Sequence, residues 1–296
     1  MTEATGAGRR IAVVTYDAQP HATDDDRYLV DALAARGASV DERPWSDPTA
    51  RWEGYDAVIV RSCWDYFHRP AEFHRWLDTL EARGARVFNA TSTLRWNADK
   101  AYLRDLDACG VPVIPTHWID RGAASSLDDV RKRTGWSDLV VKPAVSGGAH
   151  RTWRTSTGGP GDDERLSEMA ADGTVLIQPL VDEIESEGEW SLIFLDGRFS
   201  HAVIKRPRSG DFRVQKEHGG TVEPIAPPAP IVDDAARALD AVRPEGEVPL
   251  YARVDGCVVD GTLMLMELEV LEPELFLRTD VAAGDRLAAA LLGRLR

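Results

Sequence analysis

Hydrophobic and charged residues alternate with a period of two near the C-terminal end of the chain. Residues 263–273 read LMLMELEVLEP, a mostly apolar run closed by Pro273, which is typical of a β-strand. Glu267 and Glu269 interrupt the run two positions apart, so both side chains point to one face and the apolar side chains form the other. A strand that buries one face and presents two acids from the opposite face indicates a functional site.

A second apolar run, residues 251–259, precedes this strand, and the Asp-Gly pair at 260–261 predicts a β-hairpin between them. A strict two-residue turn would pair Asp255 with Met266 and aim the aspartate away from the two glutamates. A three-residue loop with the glycine in the left-handed region would pair Asp255 with Glu267 instead, and we predict this longer loop.

The longer loop brings Asp255, Glu267 and Glu269 together on one face of the hairpin. Carboxylate oxygens are the hard ligands that Mg²⁺ prefers, so the pattern predicts a metal site. The alternative is a set of salt bridges, for which Arg253 opposite Glu269 is the obvious pair. The hairpin alone leaves both interpretations open.

Over residues 1–95, short apolar runs alternate with amphipathic stretches. The apolar runs predict strands at 10–15, 40–43, 55–61 and 86–88. The stretches between them predict helices, two of which end at Gly37 and Gly84. This alternation predicts a parallel sheet covered on both sides, as in a Rossmann-like domain. No Gly-x-Gly-x-x-Gly motif follows the first strand, which disfavours a nicotinamide dinucleotide.

Parallel sheets bind ligands beyond the carboxyl ends of their strands. The loop after the first strand contains His21, and the loop after the third strand contains Arg61, Asp65 and Tyr66. These groups suit a small polar molecule, and we predict that the two loops form the substrate side of the site. The alternatives are a surface loop with aromatic packing and a structural ion pair between Arg61 and Asp65.

Two lysines further along the chain lie beside elements that suit a nucleotide phosphate. Asn97 is expected to cap a helix that contains Lys100. Lys142 ends a predicted strand, and the Ser-Gly-Gly loop at 146–148 offers unhindered backbone N–H groups, as phosphate-covering loops do. The strand predicted over 175–181 is broken by a proline and predicts a hinge between lobes.

The composition narrows the classes of function. The chain of 296 residues has 35 basic and 49 acidic side chains, a formal net charge of −14, which argues against nucleic acid or an anionic membrane as the main partner. Its 3 cysteines are far apart and show neither disulfide nor zinc spacing. The apolar run at 11–14 is too short for an export signal. We therefore expect a cytoplasmic protein that acts on small molecules.

Several motifs follow one another in a characteristic order. A lysine that opens a helix is followed by a lysine before a Gly-rich loop, a strand ending in Gln-Pro, a Phe-Arg loop that runs into Gly-Gly, and a late hairpin with an Asp and a Glu-x-Glu. In that order they resemble the ATP-grasp superfamily of carboxylate–amine ligases, over about residues 95–275. Within it, residues 61–66, 96–103 and 267–273 look like the group containing O-ureido-serine cyclo-ligase, the cycloserine-forming enzyme.

The resemblance implies an α/β protein with the ATP-grasp fold, in which α+β grasp lobes follow the Rossmann-like parallel-sheet domain. It places a substrate-side domain at 1–95, a central lid subdomain at 96–180 and a C-terminal subdomain with the metal site at 181–296. A homodimer formed through the first sheet is a further expectation.

The resemblance also assigns roles to individual residues. The expected contacts of ATP are Lys100, Lys142, Ser146, Gly147, Gly148, Gln178, Leu180 and Glu189. The predicted catalytic residues, which would hold the transferring phosphate, are Lys205 and Arg213. The predicted ligands of Mg²⁺ or Mn²⁺ are Asp255, Glu267 and Glu269. The expected substrate contacts are Arg61, Asp65, Tyr66, His21, Gly219 and Gly220.

Two of these positions stay open. The usual ATP-grasp pattern has Glu-x-Asn at the metal, whereas Glu269 stands at the third position here and adds a negative charge. The number and placement of metal ions are therefore not fixed. Glu189 suits either the ribose or the substrate.

The resemblance implies an ATP-dependent ligase for a small carboxylate, such as that of an amino acid. Transfer of the γ-phosphoryl group would make an acyl phosphate, which a nitrogen nucleophile then attacks, either from a second substrate or within the same molecule as in cycloserine formation, a reaction of antibiotic biosynthesis. Such transfer needs positioning and charge neutralisation more than covalent help. The alternatives are an ATP-grasp phosphotransferase and a nucleotide-binding regulator without catalysis.

Overall fold

The computed structural model describes residues 6–156, 158–159, 161–208, 210–215, 218–241 and 247–296. They form three β-sheets with helices packed on them. No helix in these ranges is long and apolar enough to cross a membrane.

The first sheet is parallel, as the alternation of apolar runs predicts. Its strands lie in the order β2-β1-β3-β4, and β1 pairs with β2 and β3 in parallel register. These strands are β1 (Arg10–Thr15), β2 (Ser39–Pro44), β3 (Ala57–Val60) and β4 (Val87–Phe88). The helices of this part are α1 (Arg27–Ala35), α2 (Pro70–Ala82) and α3 (Thr91–Asn97). Because all four residues of β3 are buried, its sequence is uniformly apolar rather than alternating.

The second sheet is antiparallel and has the order β5-β8-β6-β7. Its strands are β5 (His117–Ile119), β6 (Leu139–Pro143), β7 (Trp153–Thr155) and β8 (Val175–Pro179). The helices here are α4 (Tyr102–Ala108), α5 (Leu127–Thr134) and α6 (Asp162–Asp172). The sequence did not predict β5, because a strand of 3 residues is too short to show a period.

The third sheet is antiparallel, with the order β11-β10-β9-β12-β13. Its strands are β9 (Glu189–Leu195), β10 (Arg198–Arg206), β11 (Thr221–Ile225), β12 (Tyr251–Val259) and β13 (Thr262–Glu269). The helices are α7 (Glu183–Ser186), α8 (Ala229–Asp240) and α9 (Ala283–Arg294). The sequence did not predict β11, which contains Pro224 and is an edge strand, the place in a sheet where proline is tolerated.

The turn between β12 and β13 differs from the predicted one, although the predicted pairing of acids is present. Asp260 and Gly261 have φ of 49° and 79° and form a tight two-residue turn. The register then shifts by one residue at Met266, so Asp255 lies opposite Glu267. The predicted three-residue loop is therefore wrong, and a β-bulge within the strand aligns the acids instead.

Asn97 does not begin a helix as predicted, because it is the last residue of α3. Its side chain donates to the carbonyl of Leu268 at 2.7 Å and accepts from the N–H of Val270 at 2.8 Å. Lys100 lies in the turn that follows, before α4 begins at Tyr102. The asparagine therefore fixes the end of β13 beside Lys100.

The C-terminal helix α9 returns to the first sheet. Leu287 and Leu291 of α9 share one buried cluster with Ile11 of β1, Leu29 of α1 and Ile193 of β9. The cluster connects the first and third sheets, so apolar packing fixes their relative position.

His201, on β10, predicts a pH dependence of stability. Its Nε2 lies 2.9 Å from the Leu275 carbonyl, and its Nδ1 lies 2.9 Å from the hydroxyl of Ser200, which also accepts from Arg286. Burial lowers the pKa of His201 below its ordinary value of 6.5, so the folded chain resists a proton that the unfolded chain binds. The free energy of unfolding should therefore fall as pH drops below 6.5.

Urea titrations at pH 7.5 and 5.5 test this expectation, with His201→Gln as the comparison. Wild-type protein should lose more stability between the two pH values than the variant does. Equal losses would show that His201 does not contribute.

Candidate active site

A single cavity of about 920 Å³ lies where the three sheets meet. Most of the residues predicted from the sequence to form the site line it, and they come from all three sheets. These residues are Tyr66, Lys100, Lys142, Ser146, Gly147, Gly148, Gln178, Leu180, Glu189, Lys205, Arg213, Asp255, Glu267 and Glu269. The fold thus brings together side chains up to about two hundred positions apart, and a cavity of this size can hold a nucleotide-sized ligand.

Lys100 connects the metal-side acids to the Gly-rich loop. Its Nζ lies 2.9 Å from Glu267 Oε1 and donates to the Ser146 carbonyl at 2.8 Å. Its backbone N–H also donates to the Ala144 carbonyl, at 2.9 Å. Burial lowers the pKa of Lys100, but the attraction of Glu267 outweighs it and the net shift is upward. The lysine is therefore held as a cation at the entrance of this loop.

Lys142 differs from Lys100 because it has no ion pair. In the described part of the chain, no carboxylate oxygen lies within 4.0 Å of its Nζ. Burial lowers its pKa, with Lys100 adding repulsion and Glu267 opposing both. A cation that lines a cavity without a partner is suited to an anionic ligand.

The Gly-rich loop is packed against the first sheet. A Cβ added to Gly147 would lie 2.9 Å from the ring of Phe67, and the rings of Phe67 and His150 are 5.4 Å apart. Gly148 has a φ of 56°, which favours glycine. The loop therefore forms a wall that shields the cavity between two sheets.

Lys205 of β10 lies among three polar groups of neighbouring strands. Its Nζ is 2.5 Å from Glu189 Oε1 and 3.2 Å from Asp255 Oδ1, and the hydroxyl of Ser191 donates to the same Asp255 oxygen. Burial raises the pKa of Glu189, against the attraction of Lys205. The position of the side chains follows from the register, which pairs Lys205 with Glu189 and Asp255 with Ser191.

Arg253 of β12 holds two of the predicted metal ligands. Its Nε lies 2.9 Å from Asp255 Oδ2, its Nη2 lies 2.5 Å from Glu269 Oε1, and its Nη1 donates to the Glu274 carbonyl at 3.0 Å. The Arg253 side chain is 10% exposed. The ion pair considered as an alternative for this hairpin, between Arg253 and Glu269, is therefore present.

The donors fit Mg²⁺ in part. In the described chain, Glu267 and Glu269 use only Oε1 in their ion pairs, so each keeps a carboxylate oxygen of the kind that Mg²⁺ prefers. Both oxygens of Asp255 already accept from Arg253, and Oδ1 also accepts from Lys205. Among the residues described, no three His, Cys, Asp or Glu side chains form a ready metal cluster. Direct ligation by all three acids stays a prediction.

The acids around the hairpin differ in their affinity for protons. Burial raises the pKa of Glu269 to about 7, although Arg253 opposes the shift, and the charges of Glu267 and Asp255 add to it. Burial also raises the pKa of Glu267, but Lys100 and Lys142 outweigh it and the net shift is downward. Glu267 therefore gives up its proton more readily than Glu269 and is the better candidate metal ligand.

Arg213 and Gln178 line the cavity with their polar groups engaged. The Arg213 guanidinium makes two contacts with Asp211, at 3.0 and 2.8 Å. The Gln178 side chain donates to Thr116 at 2.9 Å, and the Leu180 N–H donates to the Asp138 carbonyl at 2.9 Å. An adenine contact by Leu180 would therefore use its carbonyl group.

Five of the six expected substrate residues lie outside the cavity lining, which includes only Tyr66 of the six. Arg61 is 1% exposed and is buried between Asp26 Oδ1, at 2.9 Å, and the carbonyl of Pro273, at 2.6 Å. Asp65 accepts from Trp45 and pairs with another arginine, Arg69. The ion pair considered between Arg61 and Asp65 is therefore wrong, and both residues join elements of the fold.

His21 points to solvent: its side chain is 80% exposed and contacts Glu42 at 3.1 Å. A substrate contact by this side chain is not supported, because the loop turns its neighbours Ala22 and Thr23 toward the cavity instead.

Gly219 and Gly220 also lie outside the cavity lining. A Cβ added to Gly220 would lie 2.0 Å from the Val214 carbonyl, so the glycine allows the chain to double back on the Phe-Arg loop. The glycines therefore affect the site through the positions of Val214 and Arg213, both of which line the cavity.

Sequence reasoning assigned no site role to six charged residues that line the cavity: Asp24, Asp25, Arg253, Glu272, Glu274 and Arg278. Arg253 entered only as a possible salt-bridge partner and Glu272 only as part of the motif at 267–273, whereas Arg278 was not considered. Arg278 contacts Asp25 at 2.9 Å and Glu274 at 2.5 Å. The position of Glu272, after the Glu-x-Glu and directly before the proline that ends the strand, was a signal that could have identified it.

Comparison with known proteins agrees with the geometry. The family model for the N-terminal domain of D-cycloserine synthetase DcsG matches residues 11–89. The cycloserine biosynthesis protein DcsG of Streptomyces lavendulae is 30% identical over 285 residues, which cover 90% of this chain and 93% of that protein.

Solved structures show the same similarity. The crystal structure of D-cycloserine synthetase DcsG has a TM-score of 0.88 at 29% identity and covers 97% of this chain and 100% of its own. The ATP-grasp ligase PsnB, solved with a precursor variant, Mg and ADP, has a TM-score of 0.66 at 18% identity, with all of both chains covered, and supports the fold alone. The fold, the cavity and the identity to DcsG together show that the chain belongs to the D-cycloserine synthetase family of ATP-grasp carboxylate–amine ligases.

Proposed function

We propose that this ligase uses ATP and Mg²⁺ to activate the carboxylate of a small amino acid, and that a nitrogen atom of the same molecule then attacks it and closes a ring. The observation that carries the proposal is one cavity that is lined both by the cationic side chains of Lys100, Lys142, Lys205 and Arg213 and by the carboxylates of one hairpin. The identity to DcsG of Streptomyces lavendulae supports ring closure and an O-ureido-serine-like substrate.

The cations of the cavity are suited to the charges of a transferring phosphoryl group. Lys142 has no carboxylate partner among the described residues and could bind phosphate oxygens, and the Gly-rich loop beside it offers backbone N–H groups. Glu267 and Glu269 would hold Mg²⁺, which would supply positive charge to neutralise the phosphates. Lys100 lies between Glu267 and the Gly-rich loop, so its ammonium group would add positive charge next to phosphates bound at the loop.

Lys205 and Arg253 are placed to hold the reacting carboxylate. Arg253 lies on β12 of the hairpin and Lys205 on β10, two strands away from β12, and both are nearly enclosed, with side chains 10% exposed. Charge-assisted contacts are strongest in such a water-poor site. An activated carboxylate also has to be kept from water, which the packed wall of Phe67 and Gly147 would help to do.

We also propose that the three sheets mark the three domains. The first sheet lies within residues 10–88, the second within 117–179 and the third within 189–269. This arrangement supports boundaries near 95 and 180. The return of α9 to the first sheet would tie the last domain to the first.

A phosphate-release assay tests the function. With ATP and Mg²⁺, O-ureido-D-serine alone should release phosphate and form a cyclic product without an added amine, since proximity within one molecule replaces the second substrate. Serine and dipeptides in the same panel serve as controls and should stay near background.

Each other outcome points to another function. Release that requires a separate amine would mean two-substrate ligation. A stable phosphorylated product would mean a phosphotransferase, and background turnover with every compound would indicate a regulator without catalysis.

A further inference from the structure

The carboxylates of the cavity fall into two groups, those with a cationic partner and those without. Eight Asp and Glu side chains line the cavity. Six of them have a lysine or arginine within 4.0 Å: Asp25, Glu189, Asp255, Glu267, Glu269 and Glu274. Of the other two, Asp24 is exposed to solvent, whereas Glu272 is half-buried.

Glu272 therefore stands out as a half-buried acid that faces the cavity without a cation. Among the described residues, no basic nitrogen lies within 4.0 Å of its carboxylate. Burial raises its pKa well above the usual range, and the nearby Glu269 carboxylate adds to the shift. Buried charges in proteins are normally paired, so a site that keeps such an acid favours a positively charged ligand.

The backbone at Glu272 is held by the loop that follows β3. Its carbonyl accepts from the indole N–H of Trp64 at 3.1 Å, and the next carbonyl, that of Pro273, accepts from Arg61 at 2.6 Å. These two bonds hold the segment after β13 against the loop that follows β3. The buried Arg61, which does not reach the cavity, thus helps to position Glu272.

Two aromatic residues, Trp64 and Tyr66, line the cavity together with Glu272. Tyr66 is 5% exposed and lines the cavity, and after burial the Glu272 carboxylate is the largest cause of the raised pKa of its hydroxyl. Trp64, bonded to the Glu272 backbone, lines the cavity as well. Proteins bind ammonium groups through carboxylates and through the faces of aromatic rings, and both kinds of group line this part of the cavity.

We propose that Glu272 binds the α-ammonium group of the substrate, so that the enzyme selects an amino acid over a carboxylic acid that lacks the amine. This inference rests on the proposed function, and it identifies the residue that recognises the substrate amine. Glu272 lies on the first-sheet side of the segment that carries Glu267 and Glu269. The substrate would therefore place its amine toward the first sheet and its carboxylate toward Lys205 and Arg253.

A comparison of two substrates tests the proposal. O-ureido-D-serine and its deamino analogue, in which hydrogen replaces the α-amino group, are assayed for ATP-dependent phosphate release with wild-type enzyme and with Glu272→Gln. Wild-type kcat/KM should be about 100-fold higher for the amino acid, since an unpaired buried charge is costly. In the variant this ratio should fall below about 5-fold, mainly through KM for the amino acid, with KM for ATP unchanged.

Glu274→Gln is the matched control. Glu274 is two positions away and lines the same cavity, but Arg278 already neutralises it. This variant should keep most of the preference for the amino acid. An equal loss of preference in both variants would overturn the assignment to Glu272.

Further outcomes separate the proposal from its alternatives. A wild-type enzyme that treats both compounds alike would overturn the ammonium site, without need of any variant, while leaving the ligase function intact. A Glu272→Gln enzyme that keeps the preference but needs more Mg²⁺ would show that Glu272 is a metal ligand instead. No phosphate release with either compound would overturn the proposed function and the ammonium site with it.

Discussion

Replacing Glu267 with glutamine should lower kcat for ATP-dependent phosphate release by about 100-fold or more, as loss of one electrostatic group in an active site typically does. Glu267 is the hairpin acid whose pKa is lowered, since Lys100 and Lys142 outweigh its burial, and it keeps one oxygen outside its ion pair. The amide of glutamine removes the charge but preserves the shape. The Mg²⁺ concentration for half-maximal activity should rise as well.

Glu223→Gln is the control for this variant. Glu223 lies on β11, and its 65% exposed side chain pairs with Arg206 at the surface. Its loss should change kcat less than about twofold, as surface pairs contribute little. Phosphate release that is unaffected by Glu267→Gln would mean that the hairpin acids are structural.

Replacing Arg253 with methionine should reduce the free energy of unfolding by about 3–5 kcal/mol, because it leaves buried carboxylates without their partner. The methionine fills similar space, but Asp255 loses one of its two cations and Glu269 loses the cation that it contacts. Urea denaturation at neutral pH, without ATP or metal, measures the loss. Activity should fall too, because Arg253 lines the cavity.

A second substitution separates the charge effect from a packing effect. In the double variant Arg253→Met with Glu269→Gln, one uncompensated carboxylate is gone, so part of the lost stability should return. Arg253→Lys keeps the charge but cannot contact both acids through separate nitrogens, and should lie between wild type and Arg253→Met. Equal stability of the single and double variants would show that the Arg253–Glu269 pair does not matter.

The residues of the hairpin show how far local patterns reach. The period of two put Glu267 and Glu269 on one face, and the pairing of Asp255 with Glu267 is confirmed. The predicted turn was wrong. A bulge at Met266 shifts the register by one residue, as the predicted longer loop would, so the pairing of the acids did not distinguish between them. A pattern of apolar positions shows which face of the strand each side chain lies on. It does not show whether a one-residue register shift occurs in the turn or within the strand.

The loops of the first sheet show where local patterns stop. Tyr66 lines the cavity as predicted, while Arg61, four positions away from Asp65, is buried against a distant carbonyl, that of Pro273. When its neighbours in space are unknown, an arginine or a histidine in such a loop is typical of a substrate-binding residue. Their direction depends on partners such as Asp26 and Glu42, which the sequence does not place nearby.

The sequence by itself determined the parallel first sheet, the acids of the late hairpin and, through the order of its motifs, the ATP-grasp ligase fold. These features depend on periodicity and on spacing along the chain, which are local. Only the tertiary structure decided which charges are neutralised. Among the described residues, Arg253 pairs with two acids, Lys142 pairs with none, and Glu272 faces the cavity without a cation, because these distances depend on how three sheets pack together.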